Sequence, residues 1–318
     1  MAQTQIASTK AEAYRWGVEI ECLLPREAIQ RLGIRIGSYH HGYPLPSPFP
    51  AGWKAERDAS VRTDLEGYEP VEVVSPILKG RAGLEELKQV AETLEGLGAR
   101  VNSTCGLHNQ VGAASVAGDD PALIAEWVGR LLYQVAMHET ALYASTGTHR
   151  RENGGYSRRI DQQKNLADLV RKAPKHRKES LLRDHTSCLA RYYALNLTNL
   201  FGPKATVEFR WPAGTTSWVK MVGHVQQCLA LCERALEPSK LDWEAVASER
   251  TYRCRGAGLR ALNRFFYLAG WTLGRRGYGK PEVPMAGWIG DAEWLPLVKR
   301  ELKRLARKYD RAAIEGAA

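Results

Sequence analysis

The chain has 318 residues, 44% hydrophobic and 25% charged, with a formal charge of +10 and a pI near 9.3. That is the composition of a folded globular protein with room for one large core or two ordinary ones. No apolar run approaches the roughly 18 residues of a bilayer span, and the opening MAQTQIASTK lacks a secretory pattern, so a cytoplasmic protein with no membrane partner is expected.

Taken in order, YRWGVEIECLL (14–24) reads as a strand. Residues 25–53 are dense in Pro, Gly and Ser and read as loop. YEPVEVVSPIL (68–78) is a second strand, and the leucines from Leu84 to Leu97 recur at helical spacing over 82–97. ARVNSTCGLHNQVGA (99–113) is extended again. Asp119-Asp120-Pro121 then starts a helix that runs to about Ala144. Residues 146–190 are basic, polar and only partly helical. RYYALNLTNL (191–200) and TVEFRWPAGT (206–215) are strands around a Gly202-Pro203 turn. Thr216-Ser217 can cap a helix to about Ala235. Helices are expected from 241 to the end, interrupted at 274–287. Strands arrive in hairpin-like pairs as well as alternating with helices, which predicts an α+β fold with a largely antiparallel sheet.

The six cysteines, Cys22, Cys105, Cys188, Cys228, Cys232 and Cys254, show no CxxC pair. This excludes a disulfide framework or a zinc site and predicts reduced, buried thiols. The positive charge is concentrated. Residues 150–191 hold twelve Lys/Arg against five Asp/Glu, and KRELKRLARKYDR (299–311) holds seven against two. Such tracts are either solvated basic faces or guides for an anionic partner.

Four of the strands share one peculiarity. In GVEIEC, Glu19 and Glu21 fall on one face while Val18, Ile20 and Cys22 fall on the other. Two like charges repel if buried together, so the stretch is either a solvated edge or a cation site. VEVV places Glu72 among valines, and LHNQV places His108 and Gln110 on one face. TVEFRW places Glu208 beside Arg210, with Val207, Phe209 and Trp211 behind them. Each signal alone also fits a solvated face or a structural histidine. Together, Glu19, Glu21, Glu72, His108 and Glu208 predict a pocket suited to Mg²⁺ or Mn²⁺, with Arg210 neutralising phosphate beside it.

In that order, GVEIE, VEVVSPIL, NSTCGLHNQV, RYYALNL and TVEFRWPAGT resemble the phage and bacterial amidoligase family. It belongs to the carboxylate–amine ligase superfamily with the glutamine synthetase and glutamate–cysteine ligase fold. The resemblance covers roughly residues 14–235. It implies a curved, mostly antiparallel sheet of the glutamine synthetase catalytic-domain type, with an ATP–Mg²⁺ site on its concave face. It also implies that Glu19, Glu21, Glu72, Glu208 and Arg210 hold metals and phosphates. His108 matches the first His of the family's H-x-H, and Gln110 stands where the second would be. A glutamine can still bond a phosphate or substrate oxygen but does not titrate near neutral pH. WKAERDAS (53–60) resembles the family's W…D-x-S stretch, which brings in Asp58 as a contact to substrate or amine. Arg191 and Asn196 are further candidates for phosphate or substrate contact.

The expected organisation is a catalytic core over 1–237, with a basic insertion at about 146–190, and a mainly helical extension over 238–318 packed on it. The expected activity is ATP-dependent amide or isopeptide formation through an acyl phosphate. The substrates are an amine and a carboxylate, drawn from amino acids, peptides, polyamines or a modified polymer, and the basic tracts suit an anionic macromolecular acceptor. Two other readings stand beside it. One is a nucleic-acid-binding protein on a degenerate ligase fold. The other is a cysteine hydrolase using Cys105 and His108, although three-residue spacing on a strand puts those two on opposite faces.

Overall fold

The computed structural model describes residues 10–160, 169–186, 191–237, 256–271 and 285–315. Its centre is the eleven-residue strand β1 (Arg15–Pro25), which pairs antiparallel with β4 (Tyr68–Val74) on one side and β6 (Leu107–Gly112) on the other. Outward from β4 lie β3 (Lys54–Glu56) and β2 (Tyr43–Pro44). Outward from β6 lie β8 (Thr206–Phe209) and β7 (Leu195–Asn196), giving the order β2-β3-β4-β1-β6-β8-β7. The short β5 (Leu78–Lys79) pairs with the start of β1. All of these pairs are antiparallel, as the hairpin-like strand order predicted.

The alternation in sequence becomes two unlike faces. Val18, Ile20, Cys22, Val71, Val73, Leu107, Val111, Val207 and Phe209 are buried in one core, with the helices behind the sheet. Each such aliphatic side chain withdrawn from water contributes ~1.5–3 kcal/mol. Behind the sheet, α2 (Gly80–Gly96) buries Leu84, Leu87, Val90 and Leu94, and packs on α7 (Trp218–Arg234). Helix α4 (Pro121–Ala144) is buried on most sides. It begins as its sequence predicted, with the Asp120 carboxylate accepting from Ala122 N–H at 2.8 Å and Pro121 in the first turn. Helices α8 (Ala257–Leu268) and α9 (Trp294–Glu315) pack against α4 and each other, and α9 also against α7. Short helices α3 (Ala113–Ala117) and α5 (Arg150–Asn153) and the longer α6 (Lys175–Thr186) lie between these elements in the chain. Among the described residues no helix is long and apolar enough to cross a membrane.

Several boundaries differ from the sequence reading. The stretch expected as loop contains helix α1 (Arg26–Leu32), closed by Gly33 at φ 66°, a left-handed position that glycine adopts without a Cβ clash. Of the expected strand at 191–200 only Leu195–Asn196 is a strand, and of 99–113 only Leu107–Gly112, with isolated bridges at Tyr193, Arg100 and Gly106. Ser217 sits at the start of α7 but its hydroxyl makes no cap bond; Thr215 Oγ1 instead accepts from Ser217 N–H at 3.1 Å. Cys22, Cys105, Cys228 and Cys232 are free and buried, whereas Cys188 and Cys254 lie outside the described residues, as does most of the expected 274–287 interruption.

Candidate functional site

Strand register builds the site. Glu21 lies opposite Glu72 across β1 and β4, and Glu72 lies opposite Glu56 across β4 and β3. On the other side Glu19 lies opposite His108, Gln110 opposite Glu208, and Glu208 opposite Asn196. Directly paired residues share a face. One face therefore carries a polar row across six strands, while the other face is the core. Glu21, Glu56, Glu72, His108, Asn196, Glu208 and Arg210 are all buried, and Glu19 is half-buried.

Two donor groups converge within this row. Glu19, His108 and Glu208 each offer a ligand atom within 4.8 Å of the others, and so do Glu21, Glu72 and His108. His108 stands between them. Its Nδ1 is 3.4 Å from Glu19 Oε2 and 3.5 Å from Glu208 Oε1, and its Nε2 is 3.8 Å from Glu21 Oε1. Around these groups, Gln110 Nε2 donates to Glu19 Oε1 at 2.5 Å and Asn196 Nδ2 donates to Glu208 Oε2 at 2.6 Å. The Gly106 N–H donates to Glu21 Oε2, and Arg210 Nη1 donates to Glu208 Oε1.

The electrostatics are those of a crowded anionic pocket. Burial, then the charges of Glu19, Glu21, Asp58 and Glu56, push the Glu72 carboxyl well above the usual carboxylate range. Burial, reinforced by Arg210 and opposed by Glu21 and Glu208, pushes His108 down to about 4, so the imidazole is neutral near pH 7. A neutral imidazole with hard carboxylate oxygens is a donor set that fits Mg²⁺ or Mn²⁺, and a divalent cation would relieve the repulsion that burdens Glu72.

Other candidates lie at the margin. Asp58 is half-buried, and its Oδ1 accepts from Ser60 N–H at 2.6 Å. Arg191 is exposed, and its Nη2 donates to Tyr39 Oη at 2.9 Å. Tyr39 belongs to the 37–41 loop, whose His40 N–H donates to Glu56 Oε1 at 3.1 Å and whose Gly37 bridges Glu56. The loop is thus anchored near the β3 end of the polar row and touches a residue just before β7, at the other end.

Two buried charged residues of the site lay outside the sequence candidates. Glu56 extends the row by one strand, and Arg151 rests against Gly106, whose other side-chain neighbour is His108. The Cys105 thiol is packed with Leu23 and Val61, is pushed up by burial, and lies 3.5 Å from Asn102 Oδ1. These surroundings stabilise a thiol rather than the thiolate a hydrolase needs.

No curated protein matches this chain. Residues 12–232, well over half of the 318, match the family described as "Putative amidoligase enzyme". That span holds the whole polar row from Glu19 to Arg210, and the chain belongs to this amidoligase family.

Proposed function

We propose that the chain is an ATP-dependent carboxylate–amine ligase that forms an amide or isopeptide bond through an acyl phosphate. The observation that carries this reading is the pair of donor groups sharing His108 on a buried sheet face, inside the span that matches an amidoligase family. The largely antiparallel sheet with helices behind it is compatible with a catalytic domain of the glutamine synthetase type, and we extend the proposal to that fold. We likewise keep the division into a core over 1–237 and a helical extension over 238–318.

In the first step a substrate carboxylate oxygen bonds to the γ-phosphorus of ATP. The bond from that phosphorus to the bridging oxygen breaks, and its electron pair leaves with ADP. In the second step an amine nitrogen bonds to the acyl carbon, the carbon–oxygen bond to phosphate breaks, and the ammonium protons lost are taken up by base and phosphate. Mg²⁺ or Mn²⁺, held by Glu19, Glu21, Glu72, His108 and Glu208, would supply charge neutralisation for the phosphates. Gln110 and Asn196 orient Glu19 and Glu208 through the bonds described above. Arg210 holds Glu208 from the other side. Asp58, beside Glu72 at the margin of the row, is the base we assign to the amine proton.

The test is release of ADP and phosphate from Mg²⁺-ATP in the presence of pooled amino acids, polyamines and short peptides, for wild type and Glu208→Ala. Metal-dependent turnover lost in the variant supports the proposal, and mass spectrometry of the pool identifies the product. Absence of both turnover and metal-dependent nucleotide binding overturns it.

A further inference from the structure

Arg151 sits on the short helix α5, in the basic tract that follows α4, yet it is 8% exposed. Its guanidinium lies over the Cα of Gly106. A Cβ at that glycine would stand 3.0 Å from Arg151 Nη2, 3.2 Å from Nη1 and 3.0 Å from His108 Nε2. The missing side chain is what lets the cation approach the centre of the acidic row. Nη2 donates to the Arg210 carbonyl at 2.5 Å, and Nε is buried with no partner. Among the described residues no carboxylate oxygen comes within ion-pair distance of this guanidinium. Glu21 is the acid that acts on it most strongly, but Glu21 Oε2 already accepts from Gly106 N–H and Oε1 faces His108.

Arg210 is committed differently. Its Nη1 is bonded to Glu208, and its Nε donates to the Tyr156 carbonyl at 3.3 Å. Of the two guanidiniums buried among the described residues, Arg151 is the one without a carboxylate. A guanidinium does not shed its proton in a protein, and a buried charge without a counter-charge is strongly disfavoured. The geometry therefore points to an anionic ligand that completes the site. We propose that Arg151 is a catalytic residue that binds the phosphoryl group transferred from ATP, through the planar fork of N–H donors that suits phosphate oxygens. This rests on the ligase reading above. Arg210 then acts as a positioning residue, holding Glu208 with its side chain and Arg151 with its carbonyl.

The test compares full-length wild type, Arg151→Met and Arg151→Lys by calorimetric titration with Mg²⁺-ADP and with a Mg²⁺-bound, non-hydrolysable ATP analogue. Thermal melts without ligand accompany the titrations. For Arg151→Met we expect the preference for the ATP analogue over ADP to fall at least tenfold, Mn²⁺ binding alone to be equal or tighter, and the melting temperature to be equal or higher. Arg151→Lys recovers part of the preference, and it carries the test if the methionine variant does not fold. An unchanged preference in both variants overturns the assignment and leaves the ligase reading standing. So does an equal loss of ADP and analogue affinity, which would place Arg151 on another phosphate. Failure of wild type to bind either magnesium nucleotide overturns the ligase reading and this inference together.

Discussion

Glu21 and Glu72 lie directly opposite one another on β1 and β4, both of them buried. Like charges in that relation destabilise a strand pair unless a proton or a cation intervenes. The chain should therefore melt at a higher temperature with millimolar Mg²⁺ or Mn²⁺ than with chelator at pH 8. At a hundred times its dissociation constant a cation adds about 2.7 kcal/mol, roughly 5 °C for a chain of this size. Glu72→Gln should melt higher than wild type in chelator and respond less to the cation. Melting curves indifferent to both metals would contradict this.

Gln110 is not itself in either donor group, yet its amide fixes Glu19 at 2.5 Å. Losing such a supporting bond typically weakens metal affinity about 10–100-fold. Gln110→Ala should show that loss in Mn²⁺ titrations with a fold and melting temperature close to wild type. Equal Mn²⁺ affinity in the two proteins would mean that Glu19 does not depend on this amide.

Two histidines far from the acidic row set an acid limit. His138 on α4 is buried against Phe265 and pushed down to about 4 by burial and by Arg264 and Arg234. His224 on α7 is likewise pushed down to about 4 by burial, while its Nδ1 stands 3.2 Å from Gln227 Oε1. A lowered folded pKa means that the unfolded chain binds the proton more readily. The stabilisation is therefore complete above pH 6.5 and is lost as pH falls from there through 4. The two shifts together correspond to several kcal/mol, about 3 each as an upper bound. Urea titrations between pH 7.5 and 4.5 should show His138→Leu losing less stability than wild type, since the raised Glu72 carboxyl acts in the opposite sense in both proteins. Equal slopes in the two proteins would refute it.

The Tyr39–Arg191 bond joins two exposed side chains, so its net stabilisation is small, on the order of 1 kcal/mol. Tyr39→Phe should leave the melting temperature within about 2 °C of wild type. Because this bond ties the 37–41 loop, anchored on Glu56, to a residue just before β7, the same variant should change KM for at least one substrate while kcat shifts less. Unchanged KM for every substrate would remove the loop from substrate binding.

Much of this site was legible because strand alternation is a period-two signal. Once Glu19 and Glu21 fall on the face opposite Val18 and Ile20, a paired antiparallel strand brings His108 and Glu72 to that same face. Glu56 escaped because its strand is only three residues long, too short for a period to show, and is preceded by a Pro- and Gly-rich stretch. Arg151 escaped for a different reason. It is one of twelve basic residues in a tract that composition alone assigns to solvent, and its burial depends on Gly106, distant in sequence. The length of the strand at 191–200 was overread because Tyr193, Ala194, Leu197 and Leu200 are buried by packing outside the two-residue strand Leu195–Asn196.

His108 has one more consequence. A neutral imidazole carries a proton on one nitrogen and a lone pair on the other. Nδ1 faces Glu19 and Glu208, and Nε2 faces Glu21. Whichever nitrogen gives its lone pair to a cation, the other can only donate a hydrogen bond. Two ions bound side by side would therefore be chemically unequal, one seated on nitrogen and oxygen and the other on oxygen alone. Manganese, which accepts imidazole more readily than magnesium does, would favour the first seat, so a mixture of the two metals should sort itself within a single molecule.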